Sequence, residues 1–587
     1  MLQTIRDLFV YARRYPIPFL LGIAALVISN LAAIQPPRLI GEAVDKLSKA
    51  SLSMNEMLGY ALALVAVISI SALGLVVVRR TILGVSWEIQ FDIRRDLFKH
   101  FTRLAANFYD NNRVGDIMAR LTADLNAVRM MIGVGVFMGL NLLLFMSMSL
   151  YRMFNLNVML SLLTLLIVPV ITITFFFMLS MIHRRYEKVQ EQFSNVSAKA
   201  QENFSGIRVV KGFAIEDREL ASFESLNNEF IRRNLALTRI DGPLFPLMEL
   251  LFGLTNAALL LLGGRLIMKS ANLSIGEFVD FVLLFEGIQW PVLGLAWIAN
   301  IVQRGHTSWG RLKELFAAPV EIQDDEFTDR SLSDIRGDIV FDRVSLKFND
   351  FVALDEVSFR LPAGAKLGIT GRTGSGKTMI AYLLARVLEP TSGIITVGGI
   401  NLKHYPIEVL RRNIGMVPQE PFLFSDSIAE NIAYGIPQGD NPEALRQKVK
   451  EVAGIVQVAH DVEDFPKGYD TMLGERGVTL SGGQRQRVAM ARAIIRDPSL
   501  LILDDALSAV DTQTESNILR ALKEVMVDRS TIIIGHRVSA FKACDHILVL
   551  DEGRITEEGS HDHLVQQDGW YAEIDRKQQL EAELEVA

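Results

Sequence analysis

The chain has 587 residues and a net charge of −7, with a pI of about 5.8. That length exceeds what one hydrophobic core serves, and nothing in the acidic balance points to a nucleic-acid partner, which usually meets a basic face. Half of the residues are hydrophobic and yet 22% are charged, so the composition describes a chain split into an apolar part and a mixed part.

Six stretches are long and apolar enough to cross a bilayer, which takes about 20 residues. They lie near 17–35, 57–78, 131–150, 156–182, 244–268 and 278–302. Arg6, Arg13 and Arg14 precede the first run as they would in a signal peptide. The charged lead is long, however, and further apolar runs follow, so the run reads as a retained span. Links after the first, third and fifth spans are short. Those after the second and fourth, Arg79–Asp124 and His183–Arg239, are long, charged and helical in pattern, which suits helices continuing into the cytoplasm. Cations fix the orientation. Arg79, Arg80, Arg94 and Arg95 follow span two, Arg184 and Arg185 follow span four, and Arg304 and Arg311 follow span six. The opposite links hold only Lys46, Lys49, Arg152 and Lys269. Both termini are therefore expected in the cytoplasm of a multi-pass protein of the inner membrane, embedded in the lipid bilayer. Pro36-Pro37 interrupts the first helix and Pro291 sits in the sixth, breaks tolerated in lipid where neighbours or a cavity satisfy the freed carbonyls.

After about Pro319 the composition changes. Residues 320–336 are acidic and polar and read as a linker. From 337 to 575 short apolar strands alternate with amphipathic helices. Ile339–Phe341, Lys366–Thr370, Ile394–Val397, Ile414–Pro418, Leu500–Asp504, Thr531–Gly535 and His546–Leu550 read as strands. The expected fold is thus a polytopic all-α membrane domain over 1–319, followed by an α/β domain with a largely parallel sheet. Residues 576–587 form a charged helical tail. Cys544 is the only cysteine, which excludes an intrachain disulfide; it precedes a strand and reads as a small packed residue.

The strongest chemical signal is Gly371-Arg372-Thr373-Gly374-Ser375-Gly376-Lys377-Thr378. It follows the strand Leu367–Thr370 and precedes an expected helix over Met379–Leu388, the context that a phosphate-binding P-loop requires. Glycines let the backbone curl so that successive N–H groups face phosphates, and the helix N-terminus adds its dipole. Lys377 is then placed to reach the β- and γ-phosphates of ATP, and the Thr378 hydroxyl to bind Mg²⁺. Leu500–Asp504 is an apolar strand ending in a carboxylate, the Walker B arrangement in which Asp504 helps to hold Mg²⁺.

Leu480-Ser481-Gly482-Gly483-Gln484 ends 20 residues before Asp504 and resembles the signature of the ATP-binding cassette family. With both Walker motifs in this order, the whole chain is similar to ABC exporter half-transporters: six spans first, the cassette second. The runs Asn112–Arg120 and Phe422–Ile432 look closest to the bacterial multidrug-resistance-like subunits of the heterodimeric type. The resemblance implies an ATP hydrolase that moves hydrophobic or amphipathic compounds, drugs or lipids, outward. It implies that Phe348 stacks on adenine, where the family usually has Tyr, and that Gln419 touches Mg²⁺ and relays motion to the membrane helices. It further implies that His536, 31 residues after Asp505, lies near the γ-phosphate, and that Ser481, Gly482, Gly483 and Gln484 meet the nucleotide held by a partner's cassette. Gly474-Glu475-Arg476-Gly477 resembles the loop that touches the partner's coupling helices, and Ser508–Asp511 the loop following Walker B. Two turning points, Phe108–Asp116 and Ile207–Asp217, are candidates for coupling cassette to membrane. An importer or a purely regulatory ATPase fits less well, since six spans are fused directly to one cassette.

One residue departs from the family pattern. Most active cassettes carry Glu after the Walker B Asp, to polarise the attacking water; here it is Asp505. Its carboxylate is one methylene short, or about 1.5 Å, and a misplacement of that order can cost about 10²-fold in rate. The expectation is a heterodimer whose second half-transporter supplies a catalytic Glu, leaving this chain's own site slow; the alternative is a homodimeric lipid or drug flippase in which Asp505 serves as a slow base in both sites. Within the spans, Asp241 and Glu249 lie eight residues apart on the fifth helix, and Glu286 sits near Gln289 and Trp290 on the sixth. Ionisable groups there are costly and usually face a cavity, and carboxylates beside an aromatic suit a lipophilic cation.

Overall fold

The computed structural model describes residues 1–269, 273–348, 351–436, 441–474 and 480–586. Two compact units divide the chain: residues 1–101 with 114–318, and residues 102–113 with 319–587. The segment 102–113, expected within the membrane half, therefore clusters with the cassette half.

Among its described residues the first unit contains six helices long and apolar enough to cross a membrane: Pro16–Ser48, Met54–Phe101, Val114–Leu156, Val158–Ser205, Glu216–Met268 and Ile275–Phe316. Five of the six apolar stretches of the sequence fall within them; the fourth, 156–182, overlaps the end of the third helix at Leu156 and the cap Asn157 before entering Val158–Ser205. Five of the six run to 42 residues or more. At 1.5 Å per residue that is at least about 60 Å, roughly twice the hydrocarbon thickness, so the charged links are continuations of the spans. Short links are closed by capping residues. Ser53 and Glu56 form a reciprocal capping box at the start of the second span, Asn157 caps the fourth, and Ser274 with Glu277 boxes the sixth. Each satisfies N–H groups that a helix start leaves unpaired.

The first span breaks at Ile34, and the next helix, Gln35–Ser48, carries its prolines at the first turn, where the missing N–H costs nothing. Pro291 interrupts no helix assignment in Ile275–Phe316, and Pro169 sits likewise inside Val158–Ser205. Where Gln35–Ser48 meets the sixth helix, the backbones touch. A Cβ added at Gly276 would lie 2.0 Å from the Gly41 carbonyl oxygen. The Asp45 carboxylate accepts from the Gly276 N–H at 2.7 Å and the Ser274 hydroxyl at 2.5 Å. Arg152, counted from sequence among the cations of the opposite links, pairs with the buried Asp280 at 2.6 Å. Three π-helical turns, Arg79–Leu83, Arg120–Asp124 and Met131–Gly135, interrupt the second and third long helices.

Among its described residues the second unit carries ten strands. They are β1 (Ile339–Phe348), β2 (Phe351–Leu361), β3 (Lys366–Gly371), β4 (Ser392–Val397), β5 (Ile400–Asn401), β6 (Ile414–Val417), β7 (Leu500–Asp504), β8 (Ser530–Ile534), β9 (His546–Asp551) and β10 (Arg554–Gly559). Six form a sheet of order β10-β9-β3-β8-β7-β6, parallel except where β10 pairs antiparallel with β9. The expected parallel sheet is thus present, but β1 and β4 are not part of it. They join β2 and β5 in a separate antiparallel sheet of order β2-β1-β4-β5. Apolar residues of β1, β2, β3, β4 and the helix Lys377–Leu384 share one core; a second core lies under the helices from Ile428 to Ile495 and the 500–575 segment. That P-loop helix starts at Lys377 and ends at Leu384, earlier at both ends than the sequence pattern placed it, because the glycine loop closes directly into its first turn. Residues 576–586 belong to a helix that begins at Trp570 and is anchored by buried Tyr571 and Asp575. Cys544 is buried, and burial pushes its thiol up to about 12, as an inert packed residue should be.

Candidate nucleotide site

The central strand β3 delivers the chain to Gly371, where its φ of +141° and the β9 carbonyl of Leu550 leave no room for a side chain: a Cβ would sit 1.9 Å from that oxygen. Five residues later Gly376 has φ +94°, and a Cβ there would lie 2.3 Å from the Ala353 carbonyl oxygen. Between these two pinned points the backbone curls, and only glycine adopts both conformations without strain. Lys377 then opens the helix. Its side chain is buried, and its ammonium donates to the carbonyls of Gly371 at 3.0 Å and Arg372 at 2.8 Å. Burial pulls its pKa down, against the opposing pull of the Asp504 and Asp505 carboxylates.

Two strands along the sheet, β7 ends at Asp504. Its carboxylate is buried, and Oδ2 has no hydrogen-bond partner among the described residues. Burial pushes its pKa up, assisted by Asp505 and opposed by the Thr378 hydroxyl and Lys377. The Ser375 hydroxyl is also buried without a partner. Asp505 follows in a left-handed conformation, φ +48°, held by its N–H donating to the Ile534 carbonyl at 2.8 Å. His536 comes two residues after β8. Burial holds its imidazole below the ordinary histidine value, with Lys377 assisting and Asp505 opposing.

Most of these groups meet in one cleft of about 360 Å³, whose lining does not include Gly371, Arg372 or Ser375. Its lining contains Thr373, Gly374, Gly376, Lys377 and Thr378 together with Gln419, Asp504, Asp505, His536 and Phe348. Phe351, 60% exposed, Ala353, Met379, Ile534 and Gly535 also line the cleft and were not among the site residues expected from the sequence. Phe351 pairs with Phe348 in the β1–β2 register, but it stands at the start of β2, ahead of the alternating half of the strand, so no sequence pattern announced it.

Ser481 to Gln484 do not line this cleft. Ser481 caps the helix Gly482–Ile494 through a reciprocal box with Gln484. The Gln484 amide also donates to Asp461 at 3.0 Å, so both ends of its side chain are engaged within the chain. A Cβ at Gly483 would come within 2.7 Å of the Ala509 carbonyl. Gln486, unmarked by any motif, ties this helix to the loop after Walker B. Its amide donates to Ser508 Oγ at 2.9 Å, and its oxygen accepts from the Ala509 N–H at 3.0 Å. Of the loop Gly474–Gly477, residues 475–477 lie outside the described residues. The two expected turning points of the long charged links contain the short helices Ala106–Asn111 and Ile207–Gly212.

Residues 19–292 match the ABC transporter transmembrane region, and residues 354–508 match the ABC transporter ATP-binding domain. The multidrug resistance-like ATP-binding protein MdlA of Escherichia coli is 35% identical over 579 residues, covering 98% of this chain and 97% of that protein. The chain belongs to the ABC transporter family. An uncharacterized ABC transporter ATP-binding protein of Bacillus subtilis, YknU, is 35% identical over 583 residues and aligns as completely, at 98% and 97%. The solved structure of a bacterial Atm1-family ABC exporter with ATP bound superposes with a TM-score of 0.77 at 28% identity, covering 96% of this chain and 98% of that one. This ABC transporter is therefore a multi-pass half-transporter of the exporter type, with its ATP-binding cassette after the membrane-spanning region.

Proposed function

We propose that this ABC transporter is one subunit of a heterodimeric exporter that uses ATP to move hydrophobic or amphipathic compounds, drugs or lipids, out of the cytoplasm or the inner leaflet. The observation that carries the reading is the division within one cassette. The cleft gathers the P-loop, Gln419, Asp504, Asp505 and His536, while Ser481, Gly482 and Gly483 open a helix outside its lining. A second cassette is needed to bring a signature helix against this cleft, and this chain's signature would complete the partner's site. With Asp505 in place of Glu, the two sites differ: the partner's Glu works against this chain's intact signature, and this chain's own site is slow.

The residues of the cleft fit MgATP. Lys377 and the P-loop amides of Arg372 to Thr378 bind the β- and γ-phosphates. Phe348 and Phe351 offer ring faces to the base. Thr378 and Asp504 offer hard oxygen donors, one of them the buried, unpartnered Oδ2, and Gln419 lies on the same cleft. No cluster of three His, Cys, Asp or Glu side chains is present among the described residues, as expected for Mg²⁺, which is held by one or two carboxylates plus substrate phosphates and water. Mg²⁺ supplies charge neutralisation at the phosphate oxygens. Asp505 orients the attacking water, and His536 hydrogen-bonds at the γ-phosphate. The cation bias of the cytoplasmic links supports an inner-membrane placement with both termini in the cytoplasm. The helices Ala106–Asn111 and Ile207–Gly212 are the proposed coupling segments.

Purified without another subunit, the full-length chain is expected to turn ATP over at least about 10-fold more slowly than the assembled pair. Equal turnover by the chain alone would refute the heterodimer reading.

The cargo is proposed to include lipophilic cations. Glu249 and Glu286 are exposed in the single subunit, and neither takes part in an ion pair among the described residues. Glu286, Trp290 and Trp297 form one stripe of the sixth helix by their spacing, with Trp290 76% and Trp297 55% exposed. Export of a cationic dye by a Glu249→Gln, Glu286→Gln variant is expected to fall about 5- to 10-fold, corresponding to 1–1.4 kcal/mol at roughly 25 °C, with a neutral dye little affected. Equal losses for both dyes would count against the assignment.

A further inference from the structure

His536 is held from behind by an element that no motif marks. The helix Trp570–Val586 places Gln578 against the loop that carries the histidine. The Gln578 amide donates to the His536 carbonyl at 2.7 Å, and its oxygen accepts from the Val538 N–H at 2.9 Å. One side chain thus bridges a backbone acceptor and a backbone donor two residues apart, and a primary amide is the side chain that supplies both. The helix itself is well seated: Tyr571 is fully buried and its hydroxyl hydrogen-bonds with His561 at 2.9 Å. The opposite side of the loop is fixed separately. Arg537 pairs with the buried Glu515, and the Ser539 hydroxyl donates to the same carboxylate at 2.8 Å. Glu515 thereby fixes residues 537 and 539, leaving the main chain of His536 itself to Gln578.

We propose that Gln578 is a positioning residue for ATP hydrolysis, clamping the main chain on both sides of Arg537 so that the His536 ring stays aimed into the nucleotide cleft. The proposal rests on His536 acting at the γ-phosphate. No group on the helix Trp570–Val586 lines the cleft among the described residues, so Gln578 acts through His536 and not on nucleotide. Loss of the clamp should lower the catalytic rate while leaving the phosphate and base contacts, and hence KM for ATP, as they are. Gln578→Glu retains the acceptor for Val538 but presents a carboxylate to the His536 carbonyl, so it should not rescue.

The test uses the full-length chain with its companion subunit in lipid nanodiscs, in the parent and in an Asp505→Glu background where this chain's site is expected to run fastest. Gln578→Ala should reduce kcat about 3- to 10-fold with KM for ATP unchanged, the size expected for a modest misplacement of a reacting group. Amide hydrogen exchange of residues 535–541 should speed up. In the His536→Ala protein, Gln578→Ala should have no further effect on kcat, since interacting positions are not additive. If His536→Ala impairs turnover but Gln578→Ala does not, or if the two losses multiply, the clamp has no positioning role. If His536→Ala itself leaves turnover at the parent level, the role given to the histidine is wrong and the inference goes with it.

Discussion

Replacing Lys377 with alanine is expected to lower ATP turnover by at least about 10²-fold and to abolish export, with the fold retained. Lys377 is the only lysine or arginine among the described residues that line the cleft, and Asp504 and Asp505 line the same space. A triphosphate entering there meets two carboxylates and one ammonium. At an effective dielectric of about 20, a unit charge pair at 4 Å is worth about 4 kcal/mol. Loss of a single preorganised charge donor typically costs about 10²–10³ in rate. The backbone supports the lysine irrespective of its charge, since Gly371 and Gly376 set the loop through their contacts with Leu550 and Ala353. The measurement is ATP hydrolysis and dye efflux by the assembled pair in proteoliposomes, with a thermal melt as control for folding. Export at the parent rate by an intact variant would remove the basis of the ATP-driven reading.

Lengthening Asp505 to glutamate should act in the opposite direction, raising hydrolysis at this chain's site about 10- to 100-fold. Asp505 has a left-handed backbone, φ +48°, and its N–H is bonded to the Ile534 carbonyl at 2.8 Å. With the main chain fixed in this way, the reach of the carboxylate is set by side-chain length alone, and one methylene moves it by about 1.5 Å. Changes of that size in the placement of a reacting group are worth up to about 10²-fold. Single-turnover hydrolysis by the assembled pair, with the partner's catalytic Glu changed to Gln to silence the other site, reads the effect directly. A rate that does not rise would show that the length of this side chain does not limit the site.

Most of the membrane half was legible because its signal is repetitive: about 20 consecutive apolar residues leave few alternatives in lipid. The P-loop and Walker B strands were legible because both end in residues whose chemistry has one common use. The antiparallel sheet was harder. β2 alternates buried and exposed residues over its second half, a readable period of two, but β5 is only two residues long and β10 is a charged edge strand with no fully buried residue. Edge strands of that kind carry little hydrophobic pattern. The π-helical turns have no sequence signature. Gln486 and Gln578 were invisible for a different reason: each is a polar helix residue with no local partner, and its importance comes from loops more than 20 residues away, Ser508–Ala509 and His536–Val538.

The strand order has a consequence for how the cassette is made. β3, which launches the P-loop, is flanked by β8 and β9, with Lys366 beside Thr531 and Leu367 beside His546. During translation the phosphate-binding strand therefore waits more than 160 residues for either neighbour. At roughly 5–20 residues per second that is on the order of 10–30 s with both edges unpaired. Such high contact order slows folding and leaves sticky strand edges open. Nascent cassettes of this architecture are thus most in need of chaperone protection while residues 372–530 are emerging, and least able to bind nucleotide then.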